Sequence, residues 1–125
     1  MCDMPLIEKI TPDFVFDDER GTLAQLVHSG YEQVNAVFTK KGAVRGNMHC
    51  HKNSNEVFYI ISGSVDVTAR LDEAEETARF ESGDMFLIRN NIMHTFVYNK
   101  DTYLVALYDR RIENEDGTKD IISAQ

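Results

Sequence analysis

A chain of 125 residues suits one ordinary domain, which buries about two thirds of its unfolded surface on folding and leaves no room for a second catalytic unit. With 21 acidic against 13 basic side chains and a formal net charge of -8, it lacks the basic face that phosphate backbones and anionic membranes require, so neither nucleic acid nor membrane is an expected partner. No stretch approaches the ~20 apolar residues of a bilayer span, Met1-Cys2-Asp3-Met4-Pro5 has no signal-like run, and Cys2 and Cys50 make no disulfide framework, so a cytoplasmic setting is expected.

Short β-rich runs punctuated by turn residues fill the chain, with no repeat, low-complexity segment or linker. In order, the expected strands are Phe14–Phe16, Thr22–Val27 after the turn-like Asp17-Asp18-Glu19-Arg20-Gly21, Val34–Thr39, Asn47–His51, Glu56–Ser62, Ser64–Leu71, Thr77–Glu81, Met85–Ile88, His94–Tyr98 and Tyr103–Tyr108. The polar break Lys52-Asn53-Ser54-Asn55 reads as a tight turn, and Leu71-Asp72-Glu73-Ala74-Glu75-Glu76 as a solvated hairpin connection with a short turn of helix as the alternative. After Asp109 the tail is charged and closes on Ile121-Ile122, which leaves disorder, an edge strand or packing on a partner subunit open. This rhythm is that of an all-β barrel or sandwich.

Three of the four histidines fall in one pattern. His49 and His51 stand two apart, which on a strand sends both imidazoles to one face, and a hairpin through residues 52–55 would bring Glu56 beside them. His94 opens a later β-rich run and a closed barrel would carry it to the same cavity. Alternation puts Glu56, Phe58 and Ile60 on one side of their strand and His94, Phe96 and Tyr98 on one side of theirs, giving a mostly apolar cavity with polar groups at its mouth. Three imidazoles and one carboxylate suit a divalent transition metal, Fe, Mn, Ni, Co, Cu or Zn, with no choice among them. Asn47 shares the face of His49, Arg45 is the candidate for reaching an anionic substrate at the mouth, and Tyr98 is the candidate proton donor. Cys50 should point away as a buried thiol, and His28 stands outside the pattern.

The core His49-x-His51, four residues, Glu56, six residues, Gly63 resembles the first motif of the cupin superfamily, and Gly83 with His94 eleven residues later resembles the second. The resemblance runs from roughly Arg45 to Tyr108. In the flanks, Ala43 stands where the family usually has glycine, with Gly42 one position early; Arg89 replaces a proline, Asn91 a glycine, and Asn99 comes one residue late. Asn tolerates left-handed backbone, so Asn91 can serve the turn before His94. What the resemblance implies is a cupin double-stranded β-helix, a jelly-roll barrel, as a single domain over 1–125, with the core at about 14–108 and an extension at 109–125. It implies the metal ligands His49, His51, Glu56 and His94, and a homodimer.

The segments Asp18-Glu19-Arg20-Gly21-Thr22-Leu23, Val34-Asn35-Ala36-Val37-Phe38, Arg45-Gly46-Asn47 and Leu104-Val105-Ala106-Leu107-Tyr108-Asp109 are further similar to small cupins of sugar-nucleotide and polysaccharide metabolism, the deoxysugar ketoisomerases among them. This implies enolisation of a keto-sugar or similar carbonyl compound. The ketoisomerase members generally work without metal, whereas Glu56 is intact here. The expectation is therefore a metal-binding isomerase or epimerase acting on a sugar or other keto or hydroxy small molecule. The alternatives are a non-haem Fe(II) dioxygenase and a non-catalytic small-ligand sensor or binding protein.

Overall fold

The computed structural model of the chain describes residues 5–112 and 116–123, with backbone only at Asn47 and Ser123. The elements in chain order are β1 (Ile7–Ile10), β2 (Phe14–Asp18), β3 (Gly21–Gln25), β4 (Gln33–Thr39), β5 (Val44–Cys50), β6 (Glu56–Ser62), β7 (Ser64–Leu71), β8 (Ala74–Glu81), β9 (Met85–Ile88), β10 (Met93–Tyr98), β11 (Thr102–Tyr108) and β12 (Ile122–Ser123). Two antiparallel five-stranded sheets, ordered β1-β9-β6-β11-β4 and β12-β5-β10-β7-β8, face each other as a jelly roll, and β2-β3 forms a separate hairpin. Among the described residues no helix is long and apolar enough to cross a membrane.

Facing strands bury alternate residues between the sheets. Phe58, Ile60, Leu104 and Ala106 from the first sheet meet Val65, Val67, Ala69, Phe80 and Phe96 from the second. Phe86 stacks on Phe80 at 4.0 Å and on Phe58 at 5.1 Å between ring centroids. The run Val57-Phe58-Tyr59-Ile60 is apolar on both faces because its outer side is covered as well. Val57, Met85 and Leu107 pack there with Leu26, Val27 and Tyr31 of the segment after β3.

Three expectations are corrected. The turn at 52–55 does not close a hairpin: β5 and β6 lie in different sheets, so the chain crosses the barrel and Glu56 approaches the histidines from the opposite wall. The hairpin connection expected at 71–76 is there but shorter, a turn at Asp72-Glu73 with no helical turn, so that strand begins at Ala74 rather than Thr77 and pairs with β7 from Leu71↔Ala74 onward. The N-terminal Ile7–Ile10, absent from the expected strands, pairs with β9 as the outer strand of the first sheet. The tail takes the edge-strand course: Ile122 and Ser123 pair with Cys50 and His49.

Candidate functional site

The two histidine-bearing strands are neighbours, and their register sets His94 directly opposite His49. A side chain at position 46 would stop this approach, since a Cβ on Gly46 would lie 2.9 Å from the His94 carbonyl oxygen. Just beyond, the β5-β10 register shifts and Met48 takes φ 57°, so simple alternation does not run through 45–49. On the facing sheet, Glu56 is the first residue of β6 and pairs with Tyr108 of β11. Asn91, at φ 69°, adopts the left-handed turn before β10 and donates its N–H to the His51 carbonyl.

One ligand atom from each of His49, His51, Glu56 and His94 lies within 4.8 Å of all the others, and all but His49 are buried. His51 Nε2 stands 2.8 Å and His94 Nε2 3.4 Å from Glu56 Oε1. Despite that distance, His51 Nε2 and Glu56 Oε1 are both shielded from solvent with no partner in hydrogen-bonding geometry. A cation between the two atoms would satisfy both, where an unsatisfied buried polar group costs about 1–3 kcal/mol. The donor set of three imidazoles and a carboxylate fits a divalent transition metal. The other available cation is a proton. Burial favours the neutral ring at His51, but Glu56, by contact and by charge, outweighs it and holds the pKa above the ordinary 6.5. Burial, helped by its neighbour His51, depresses His49, and burial brings His94 down to about 4. Both rings are therefore neutral at pH 7.

The cluster lies in a cavity of about 810 Å³ whose walls include Phe58, Phe96, Leu104 and Ala106, with Arg45, Arg111 and Lys119 also lining it. That is a size typical of small-molecule sites. Glu56 is its one acidic lining residue among those described, against three cationic ones, in a chain where acids outnumber bases 21 to 13.

The sequence pattern matches the cupin domain family over residues 37–108, more than half of the chain. The chain belongs to the cupins. No curated protein matches it. Solved structures share the fold at low identity. A sugar 3,4-ketoisomerase, QdtA, of Thermoanaerobacterium thermosaccharolyticum in complex with TDP aligns at TM-score 0.80 and 17% identity over 95% of this chain and 88% of that one. The TDP-quinovose 3,4-ketoisomerase WlaRB of Campylobacter jejuni aligns at 0.77 and 18%, covering 94% of each chain. The dTDP-4-dehydrorhamnose 3,5-epimerase of Sulfolobus tokodaii aligns at 0.73 and 20% over 89% of this chain and 74% of that one.

Within this cupin cavity the remaining candidates take distinct places. Tyr98 is buried and lines it; burial raises its phenol pKa against the opposing effects of a Thr39 hydrogen bond and Arg45, so it stays a neutral O–H donor. Arg45 lines the mouth with Nε donating to Thr39 Oγ1 at 2.7 Å and Nη2 to the Phe38 carbonyl at 3.4 Å. Asn47 sits on β5, and its side chain lies outside the described residues. Cys50 is a buried free thiol, and His28 is exposed beside Asp13 at 2.6 Å.

Sequence reasoning missed Tyr108. Burial, reinforced by the Glu56 charge, raises its phenol pKa, and it lines the cavity opposite Glu56 in the β6-β11 register. Its signal was present in the parity Leu104, Ala106, Tyr108, which continues the cavity-facing side of β11 up to the carboxylate. Arg111, Lys119 and Ile121 were missed as well, since nothing local says that the charged tail returns to the site.

Proposed function

We propose that this cupin is a metal-dependent isomerase or epimerase acting on a sugar or other keto or hydroxy small molecule that carries an anionic group. The observation that carries the reading is the buried meeting of His51 Nε2 and Glu56 Oε1 without a hydrogen bond, flanked by two neutral imidazoles, at one cavity. His49, His51, Glu56 and His94 hold the ion, which would act as a Lewis acid toward a carbonyl or hydroxyl oxygen. With His49 and His51 both engaged as ligands, Tyr98 is the proton carrier, its phenol kept neutral by burial. Arg45 and Asn47 bind substrate; for Arg45 the support is the excess of cationic over acidic side chains along the cavity. The similar fold of ketoisomerases and an epimerase supports the reaction class. We further propose a homodimer in the cytoplasm, the latter supported by the buried free thiol of Cys50.

Elemental mass spectrometry on protein purified without tag or added metal tests the site. Near-stoichiometric Fe, Mn, Ni, Co, Cu or Zn, lost in His51→Ala with the barrel still folded, is expected. Protein that stays empty when offered these ions would sink the metal reading and move His49 and His51 into acid and base roles. Deuterium uptake from solvent into a candidate keto-sugar, reduced at least about 100-fold in Tyr98→Phe, tests the reaction; dioxygen consumption under Fe(II) in its place would favour a dioxygenase.

A further inference from the structure

The returning tail does more than pair with β5. Asp120, 5% exposed, sits between β12 and the chain crossing that follows His51. Its Oδ1 accepts the N–H of Lys52 at 2.8 Å and its Oδ2 that of Asn53 at 2.9 Å, the two residues directly after His51. Its own carbonyl faces His51 Nδ1 at 2.5 Å. A carbonyl can only accept, so the proton must reside on Nδ1, and the Nε2 lone pair is left for the centre of the cluster. One residue thus fixes the backbone of the ligand turn, the orientation of the ring and its tautomer.

We propose that Asp120 is a positioning residue for His51, a reading that rests on His51 Nε2 being a ligand of the proposed centre. The carboxylate keeps the carbonyl in place. Without it, that carbonyl would depend on the Asp120 N–H to the Ile112 carbonyl at 2.7 Å and on the two-residue pairing of β12 with β5. A buried carboxylate is retained only where its oxygens are satisfied, and here both are, by backbone donors of the ligand turn itself. His94 provides the contrast. Its Nδ1 bonds to the Ile92 carbonyl at 3.2 Å, two residues away in its own turn, so its orientation owes nothing to the tail.

The contrast supplies the test. In chelator-treated protein, proton–nitrogen correlation of the imidazoles should report protonated, slowly exchanging Nδ1 for both His51 and His94. In Asp120→Ala the His51 signal should be lost to exchange while that of His94 persists, and affinity for added Zn(II) or Co(II) should fall roughly 10–100-fold, as for other residues that orient a metal-bound imidazole. Asp120→Asn, which keeps one acceptor oxygen, should restore part of both. A His51 signal unchanged in Asp120→Ala would overturn the proposal, and so would His51 and His94 signals that weaken together in both variants, the mark of a purely structural role. Because the imidazole signals are read without metal, a wild-type protein that binds no metal would remove the proposed centre while the positioning of His51 is still decided.

Discussion

Burial without a hydrogen-bonded counter-ion makes His94 an acid-sensitive residue. Its folded pKa of about 4 against an ordinary 6.5 means that, between these values, the unfolded chain binds a proton the folded protein refuses. Stability from this group is therefore full above pH 6.5 and is lost as pH falls toward 4, on the order of 3 kcal/mol in all. His49, also depressed, adds in the same direction. His51 is raised, so its contribution is already complete below 6.5 and does not alter the slope there. Denaturant titrations of chelator-treated protein from pH 7 to 4 should show this loss, and His94→Asn should flatten it; an equally steep wild-type and variant profile would contradict the assignment. Gly63 is a residue of another kind. At φ 117° it lies against β11, and a Cβ would come within 2.7 Å of both the Asp101 carbonyl oxygen and Thr102 Cα, backbone atoms that cannot swing aside. Gly63→Ala should cost about 3 kcal/mol, combining left-handed strain with overpacking, seen as a lower urea midpoint at unchanged slope.

Among the elements, β1 depends on a bond from outside its own sheet. The N–H groups of Leu6 and Ile7 donate to the Glu76 carboxylate of β8, at 2.7 and 3.1 Å, tying the entry of the chain to the opposite sheet. Hydrogen bonds to a charged acceptor contribute about 1.5–3 kcal/mol. Glu76→Ala should accordingly speed amide exchange at Leu6, Ile7 and along β1 while β6 and β11 stay protected. Exchange that rises equally in all three would mean global destabilisation instead. The same pairing marks where sequence pattern stops being informative. Glu56–Ser62, Ser64–Leu71 and Met85–Ile88 coincide with the expected strands because apolar runs there end at turn residues. β1 and β12 are short and unpatterned, and they are strands only because an edge about seventy to eighty positions away accepts them. The clustering of His49, His51 and Glu56 was legible since the three are local and their spacing is regular. Asp120 and Lys119 were not, since their roles follow from where the tail lands, a long-range fact with no local residue signal. Nor was the crossing at 52–55, where polar turn residues look alike whether the chain reverses within a sheet or passes to the other.

At the scale of the whole molecule, part of the apolar surface left in water lies on one edge strand and on the separate hairpin. β4 is an edge strand, and its outward Val34 and Phe38 are 61% and 41% exposed, with Phe38 beside the half-exposed Tyr103 of β11 at 4.6 Å between rings. The β2-β3 hairpin adds Phe14, Val15, Phe16 and Leu23, all about half exposed. A two-stranded hairpin standing apart from both sheets is marginal in water on its own, and an uncovered edge strand invites pairing. A second copy of the chain would meet both needs, because a twofold contact lets the same apolar residues cover one another. The cavity lies on the other face of β4, where Gln33, Asn35 and Val37 point inward, so association at Phe38 would leave His49, His51, Glu56 and His94 untouched. Light scattering on the eluted protein should give a mass near twice the 14.3 kDa of one chain. Phe38→Asp places a charge in the middle of the contact and should shift the population to monomer at micromolar concentration, with metal content per chain unchanged. A wild-type monomer at that concentration would remove the dimer, whereas a variant that loses metal along with its partner would mean that the contact and the cavity are coupled through β4.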